Sequence, residues 1–303
     1  MTIELSDDNN LRDCSAYISA QVSELKALPW ATPLDWPPDL QDMLVRHARG
    51  LFVWVSVVME YLRTKSMNPA LEDLLDEDTS RDNVPAEKQL DALYTAIFNK
   101  CNWEDKAFKY NYPIVMGAIV ASKSPLSIMA WEALLTPMLF PKTSVRDTVS
   151  ELRSLFTGMG EGSTPIQLLH QSVRDYLKWR GAKLPITLDP SKDEERLALR
   201  CFTVTNTEIG KVAGLGVIEG LDEMDEMPNV PPKDISEQLA YASRYGLDHM
   251  LPIQQIPEAL EKEITKFLEE NITNWLELCV RTGRYISMYP FFDRIEVSCG
   301  NAC

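Results

Sequence analysis

Apolar positions recur at helical spacing along most of the chain. Leu11, Cys14, Ile18, Val22 and Leu25 predict a first helix over about 11–28. Prolines 29, 33, 37 and 38 stop it and start the next, which carries Leu40, Leu44 and Ala48. Leu51 to Leu62 is apolar nearly all round, the pattern of a helix inside its domain. A short helix over 69–75 and an acidic, polar loop over 76–85 precede the face of Leu90, Leu93, Tyr94, Ile97 and Phe98.

Residues 108–180 have their own order. Ile114, Val115 and 117–120 predict a buried helix, and Leu126-Ser127 opens a second with Ile128, Trp131, Leu134 and Leu135 on one face. Ser144 and Asp147 cap a third, whose Val145, Val149, Leu152, Leu155 and Phe156 keep the helical period to 156. Glycines 158, 160 and 162 make a turn. Ile166 and Leu168 then alternate with Gln167 as a half-buried strand. From Ser172 the period changes again, with Val173, Tyr176 and Leu177 on one face and Ser172 with Asp175 as the capping signal. His170 stands at this strand-to-helix junction. Three helices, a turn and a strand are the order of a winged helix-turn-helix.

Further on, Asp189-Pro190-Ser191 opens a helix to about Val204, and a glycine-bearing loop over 210–232 holds an acidic run at 222–226. Helices resume with Ile235, Leu239, Ala242 and Tyr245, with Ile256, Leu260, Ile264 and Phe267, and with Ile272, Trp275, Leu276 and Cys279. No fixed repeat period is evident, so the pattern predicts an irregular helical array. The fold class expected is mainly α: a helical lid, a winged helix with a short β-wing, then that array.

Composition narrows the function. The 303 residues carry a net charge of −15, which argues against a general nucleic-acid surface or an anionic membrane as partner. The six cysteines have no framework spacing and the first residues have no secretory pattern, so a reducing cytoplasm is expected. The apolar run 51–59 is too short to span a membrane.

Catalytic signatures are missing. There is no His-Glu-x-x-His, no Cys-x-x-Cys and no Gly-x-Ser-x-Gly, so no metal site and no catalytic residue is assigned. Cys299 and Cys303 stand without histidines, and His47, His170 and His249 are far apart. No phosphate-binding loop Gly-x-x-x-x-Gly-Lys-[Ser/Thr] occurs, since Gly210-Lys211 lacks the upstream glycine. Leu74-Leu75-Asp76-Glu77 mimics a Walker B ending on a helix, and Gly214 to Gly220 mimics a dinucleotide loop with no strand before it. Both read as surface chain. The sequon Asn271-Ile-Thr273 falls in a helical pattern and reads as unused.

Four segments together resemble a family. Ala48-Arg-Gly-Leu-Phe-Val-Trp54, Ser124-Pro-Leu-Ser127, Ser144 to Leu152, and Leu168-Leu-His-Gln-Ser-Val-Arg-Asp-Tyr-Leu177 are similar, in that order, to the NACHT-type signal-transducing NTPases, especially the fungal NOD-like-receptor-like members. The resemblance implies the end of a NACHT core and a helical lid over 1–105, a winged helix over 106–182, and a helical, superhelix-like domain over 183–303 that ends early. Ala48 to Trp54 resembles the lid motif, with Phe52 where relatives carry proline. Leu169-His170-Gln171 resembles the Met-His-Asp motif, whose histidine contacts the β-phosphate of ADP. Gln171 replaces the aspartate.

The resemblance therefore implies a regulatory half that follows the catalytic part of an NTPase. The ATP or ADP with Mg²⁺ would belong to that other part, and this chain would have no cofactor or enzymatic activity of its own. Its expected partner is a nucleotide-binding domain of the same or a related receptor, with self-association after release, in fungal recognition or cell-death signalling. His170 is then either a phosphate contact or a helix-capping, interface histidine. Other readings are a DNA-binding winged helix, whose recognition helix 144–156 would carry Arg146 and Arg153 against Asp147 and Glu151, and an unrelated helical interaction protein.

Overall fold

A computed structural model describes residues 7–29, 37–64, 74, 84–160, 162–216, 230–283 and 288–289. The protein is mainly helical, with a small three-stranded antiparallel sheet. The expected helix at 69–75, the acidic runs at 76–83 and 222–226, and Cys299 and Cys303 lie outside the described residues, Leu74 excepted. Among the described residues no helix is long and apolar enough to cross a membrane.

The chain divides into two compact units. One comprises Met1–Asp105, Val149–Met159 and Gln167–Thr187, and the other Lys106–Thr148, Gly160–Ile166 and Leu188–Cys303. Both units draw on the 106–182 stretch.

In the first unit α1 (Asp8–Lys26) buries Cys14, Ile18, Val22 and Leu25 against α2 (Leu40–Ala48) and α3 (Phe52–Thr64). Arg49 and Gly50 both take positive φ, 49° and 78°, and turn the chain sharply between α2 and α3. The amide of Asn10 donates to the Gly50 carbonyl at 3.0 Å. In α3, Val55, Val57, Val58, Met59 and Leu62 are wholly buried, as their nearly unbroken run predicts. α4 (Ala86–Asn99) turns its five-residue apolar face inward, and Tyr94 and Phe98 meet the ring of Tyr176 at 5.4 and 6.1 Å between centroids.

The second unit begins with α5 (Lys106–Ala121), which contains Pro113. β1 (Leu126–Ser127) follows and runs into α6 (Ile128–Leu135). Ser127 serves twice: its hydroxyl caps α6 by accepting from Ala130 N–H at 3.1 Å, and its own N–H donates to Glu237 at 2.8 Å. α7 (Val145–Glu151) opens on a reciprocal capping box, Ser144 N–H to Asp147 at 2.8 Å and Asp147 N–H to the Ser144 hydroxyl at 3.1 Å.

α7 does not run to Phe156. Leu152 leaves the helix at φ −112°, ψ 20°, a 3₁₀ turn occupies Arg153–Leu155, and Phe156 enters β2 (Phe156–Thr157). The sheet explains the break. Phe156 pairs with Leu168 of β3 (Pro165–Leu168), and β1 pairs with the start of the same strand, Leu126 opposite Ile166. The apolar period survives the switch because a 3₁₀ turn still returns every third residue inward. The order along this stretch is helix, strand, two helices, strand, turn, strand, and the strand order is β1-β3-β2.

After β3 come α8 (Gln171–Asp175), α9 (Pro190–Glu208), α10 (Glu237–Met250), α11 (Glu258–Lys266) and α12 (Ile272–Arg281). Asp189 caps α9 by accepting from Ser191 and Lys192 N–H, with Pro190 at the first helical position. α9 packs on α5, α6, α10 and α11. Its close approach to α5 is possible because residue 117 is glycine. A Cβ there would stand 2.1 Å from the Asp193 carboxylate. A π-turn over Phe267–Asn271 joins α11 to α12, so two helices that the spacing separates form one run. Leu276, expected inside, is 43% exposed.

Candidate functional site

His170 ends β3 in extended backbone, φ −154° and ψ 152°, and is itself the cap of α8. Its Nδ1 accepts from Ser172 N–H at 3.1 Å. Ser172 was expected to cap through Asp175, but its hydroxyl instead lies 2.8 Å from that same Nδ1. The extended backbone of His170 lays its ring over the first turn, so the histidine takes the place the serine would have had. Asp175 accepts from the Gln171 side chain at 2.9 Å.

A ring nitrogen that accepts an N–H carries no proton, so the neutral imidazole is the Nε2–H tautomer. Nε2 has no partner among the described residues, and the residue is exposed. Behind it, the Tyr94 hydroxyl meets Ser172 at 2.7 Å. Burial pushes Tyr94 up to about 12, against the bond to Ser172 and with the repulsion of Asp91, so it remains a donor. The line Tyr94–Ser172–His170 therefore fixes an exposed imidazole to a buried phenol.

Beside this line the first unit holds a cleft of about 460 Å³. Lys88, Asp91, Ala92, Thr95, Ala96 and Asn99 line it from α4, and Tyr176, Arg180 and Lys183 from the segment after α8. Trp54 and Leu93 are apolar in its lining, and both are buried. Arg180 pairs with Glu87 and, at 2.9 Å, with Asp91. Burial raises the Asp91 carboxyl above its ordinary range. Thr95 donates to the Asp91 carbonyl at 2.7 Å, so its oxygen is left to accept from the Tyr176 hydroxyl, also at 2.7 Å.

The residues singled out in the sequence are thus differently placed. Phe52 begins α3 and is 37% exposed. His47 stacks on Trp54 at 6.2 Å and donates from Nδ1 to the Met43 carbonyl at 2.8 Å. Residues 217–220 of the glycine-bearing loop lie outside the described residues, which leaves Gly214 and Gly216. They take φ of 80° and 89° where the chain meets α12: Arg281 donates to the Gly214 carbonyl, and Gly216 N–H donates to Glu277 at 2.8 Å. Asn271 of the sequon is buried and donates to Asn206 at 3.2 Å.

One cluster escaped sequence reasoning. His249 is wholly buried in the second unit, with Nδ1 2.5 Å from Glu194 and Nε2 2.7 Å from the Tyr241 hydroxyl. Lys123 donates to the other Glu194 oxygen at 3.1 Å, and its N–H reaches Tyr241 at 3.2 Å. Burial would raise Glu194, but the bonds and charges of His249 and Lys123 hold it below its ordinary value. Burial pushes Tyr241 far up. Both ring nitrogens of His249 thus have partners within the unit. Among the described residues no group of three or more His, Cys, Asp or Glu could hold a metal ion.

No protein-family model matches the chain, and neither does any curated protein or solved structure.

Proposed function

We propose that this chain is a regulatory, interaction-bearing segment of a NACHT-type signal-transducing NTPase, in the fungal recognition and cell-death class. It acts by contact with a nucleotide-binding domain and does no chemistry of its own. The observation that carries the reading is His170. It matches the family's winged-helix histidine in sequence, it follows the wing strand, and it offers an exposed Nε2–H from a ring held at Nδ1. A nucleotide phosphate supplied by a partner domain is a fitting acceptor for that N–H. The sequence carries no phosphate-binding loop, which leaves the nucleotide to that partner.

The test uses the purified chain, ADP, and a phosphate-loop-bearing domain of a NACHT-type NTPase. The chain alone should hydrolyse no ATP and bind ADP no more tightly than roughly millimolar. Mixed with the domain, it should form a complex in the presence of ADP that His170→Ala weakens. Micromolar ADP binding by the chain alone, or no complex in any nucleotide state, would reject the reading. Binding to duplex DNA that falls steeply with salt would replace it with a DNA-binding winged helix.

A further inference from the structure

Three of the side chains that line the cleft of the first unit are not used by the fold. Among the described residues, the exposed side chains of Lys88, Asn99 and Lys183 make no hydrogen bond or ion pair, although all three line it. Arg180 is already committed to Glu87 and Asp91. The uncommitted charge in the cleft is therefore two ammonium groups, in a chain whose net charge is −15. A local excess of positive charge against that background selects an anion. On α4, Ala92 and Ala96 leave open the volume that larger side chains would fill, and Trp54, Leu93 and Tyr176 supply an apolar lining. At about 460 Å³ the cleft lies within the range of small-molecule sites, and an apolar lining with a few convergent polar groups is their usual composition.

We propose that this cleft binds an amphipathic organic anion, with its apolar body against Trp54 and Leu93 and its carboxylate or phosphate head against Lys88 and Lys183. Asn99 adds a donor amide for the head. The site does not depend on the nucleotide reading, because it needs neither His170 nor a partner domain.

The experiment is calorimetric titration of the full chain with octanoate, octyl phosphate, octanol and octylamine. Octanoate or octyl phosphate should bind saturably, one per chain, and octanol and octylamine at least about tenfold more weakly. Whichever anion binds tighter identifies the head group. Lys88→Glu with Lys183→Glu should weaken the anion about tenfold and leave octanol unchanged. Ala96→Leu, a good helix former, should remove binding of all four by filling the cleft. Thermal melts of each variant, compared with the parent, separate lost binding from lost fold. Equal binding of octanol and the anions, anion binding unchanged in both variants, or no saturable heat with any probe would overturn the proposal.

Discussion

Two places, one in each unit, handle their polar groups differently. The second closes its ions on themselves. Glu277 and Arg281, 1% and 5% exposed, pair at 2.8 Å one helical turn apart, and each also clamps the backbone at Gly216 or Gly214. Lys123, Glu194, His249 and Tyr241 do the same around α9 and α10. The first unit instead leaves Lys88, Asn99 and Lys183 at a cleft and His170 at the surface. Charges that satisfy one another within the fold can be read as architecture. Charges the fold leaves uncommitted are where a ligand has something to gain, because binding need not first break a protein contact.

If that contrast is sound, breaking a pair in the second unit should cost far more than breaking one in the first. Arg281→Met strands the Glu277 carboxylate in a buried site with only the Gly216 N–H, and a loss of about 3–5 kcal/mol is expected in urea unfolding. Adding Glu277→Leu should return most of it, because the uncompensated charge is gone. In the first unit, Glu87 is 65% exposed, and Glu87→Gln should change stability by about 0–1 kcal/mol. Equal losses at the two places would dissolve the distinction.

Asp193 sharpens the comparison through pH. It is 3% exposed against Gly117, and burial pushes its carboxyl up to about 7, with the Arg196 charge pulling down and Asp189 and Glu194 pushing further up. In the unfolded chain an aspartate titrates near about 4. Between about pH 4 and pH 7 the folded state holds a proton that the unfolded state has released. Stability from this group is therefore full below about pH 4 and declines as pH rises to about 7, by on the order of 3 kcal/mol. Glu194, held below its ordinary value, works the other way and loses its contribution in acid. Asp193→Asn should flatten the decline between pH 4 and 7 and leave the loss in acid. Urea midpoints measured across that range decide it.

The same contact can be broken sterically. Gly117→Ala drives a Cβ into the Asp193 carboxylate, and overpacking of this kind costs about 1–3 kcal/mol. Asp193→Ala in the same chain should relieve it. If the double variant is no better than Gly117→Ala alone, the glycine is needed for something other than this approach.

These places also show what the sequence could and could not carry. Local periodicity reports burial, and Val145, Val149, Leu152, Leu155 and Phe156 are all buried as their spacing requires. It does not report which backbone delivers that burial. The pairing of Phe156 with Leu168 ends the helix at Glu151, and no residue near 152 announces it. The capping box at Ser144 and Asp147 was legible because both partners lie within one turn. The Ser172–Asp175 signal was the same motif and was displaced, because His170 reached Ser172 N–H first. Asp193 against Gly117 and Glu194 against His249 join distant segments, and nothing local marks a glycine or a histidine for such a partner. The cleft was the least legible, since Lys88 and Lys183 read singly as solvated surface.

The smallest effect tests the residue on which the functional reading rests. His170→Ala removes the acceptor for Ser172 N–H and should cost about 1 kcal/mol, the usual worth of a helix cap. That loss alone does not separate a cap from a ligand contact. His170→Asn does. Asparagine is a strong cap and should restore stability, while lacking an imidazole Nε2–H to offer outward. If the nucleotide-dependent complex survives in His170→Asn as in the parent, the residue's role is the cap alone. If stability returns and the complex does not, the exposed nitrogen is what the partner reads, and the first unit's uncommitted groups are its functional surface.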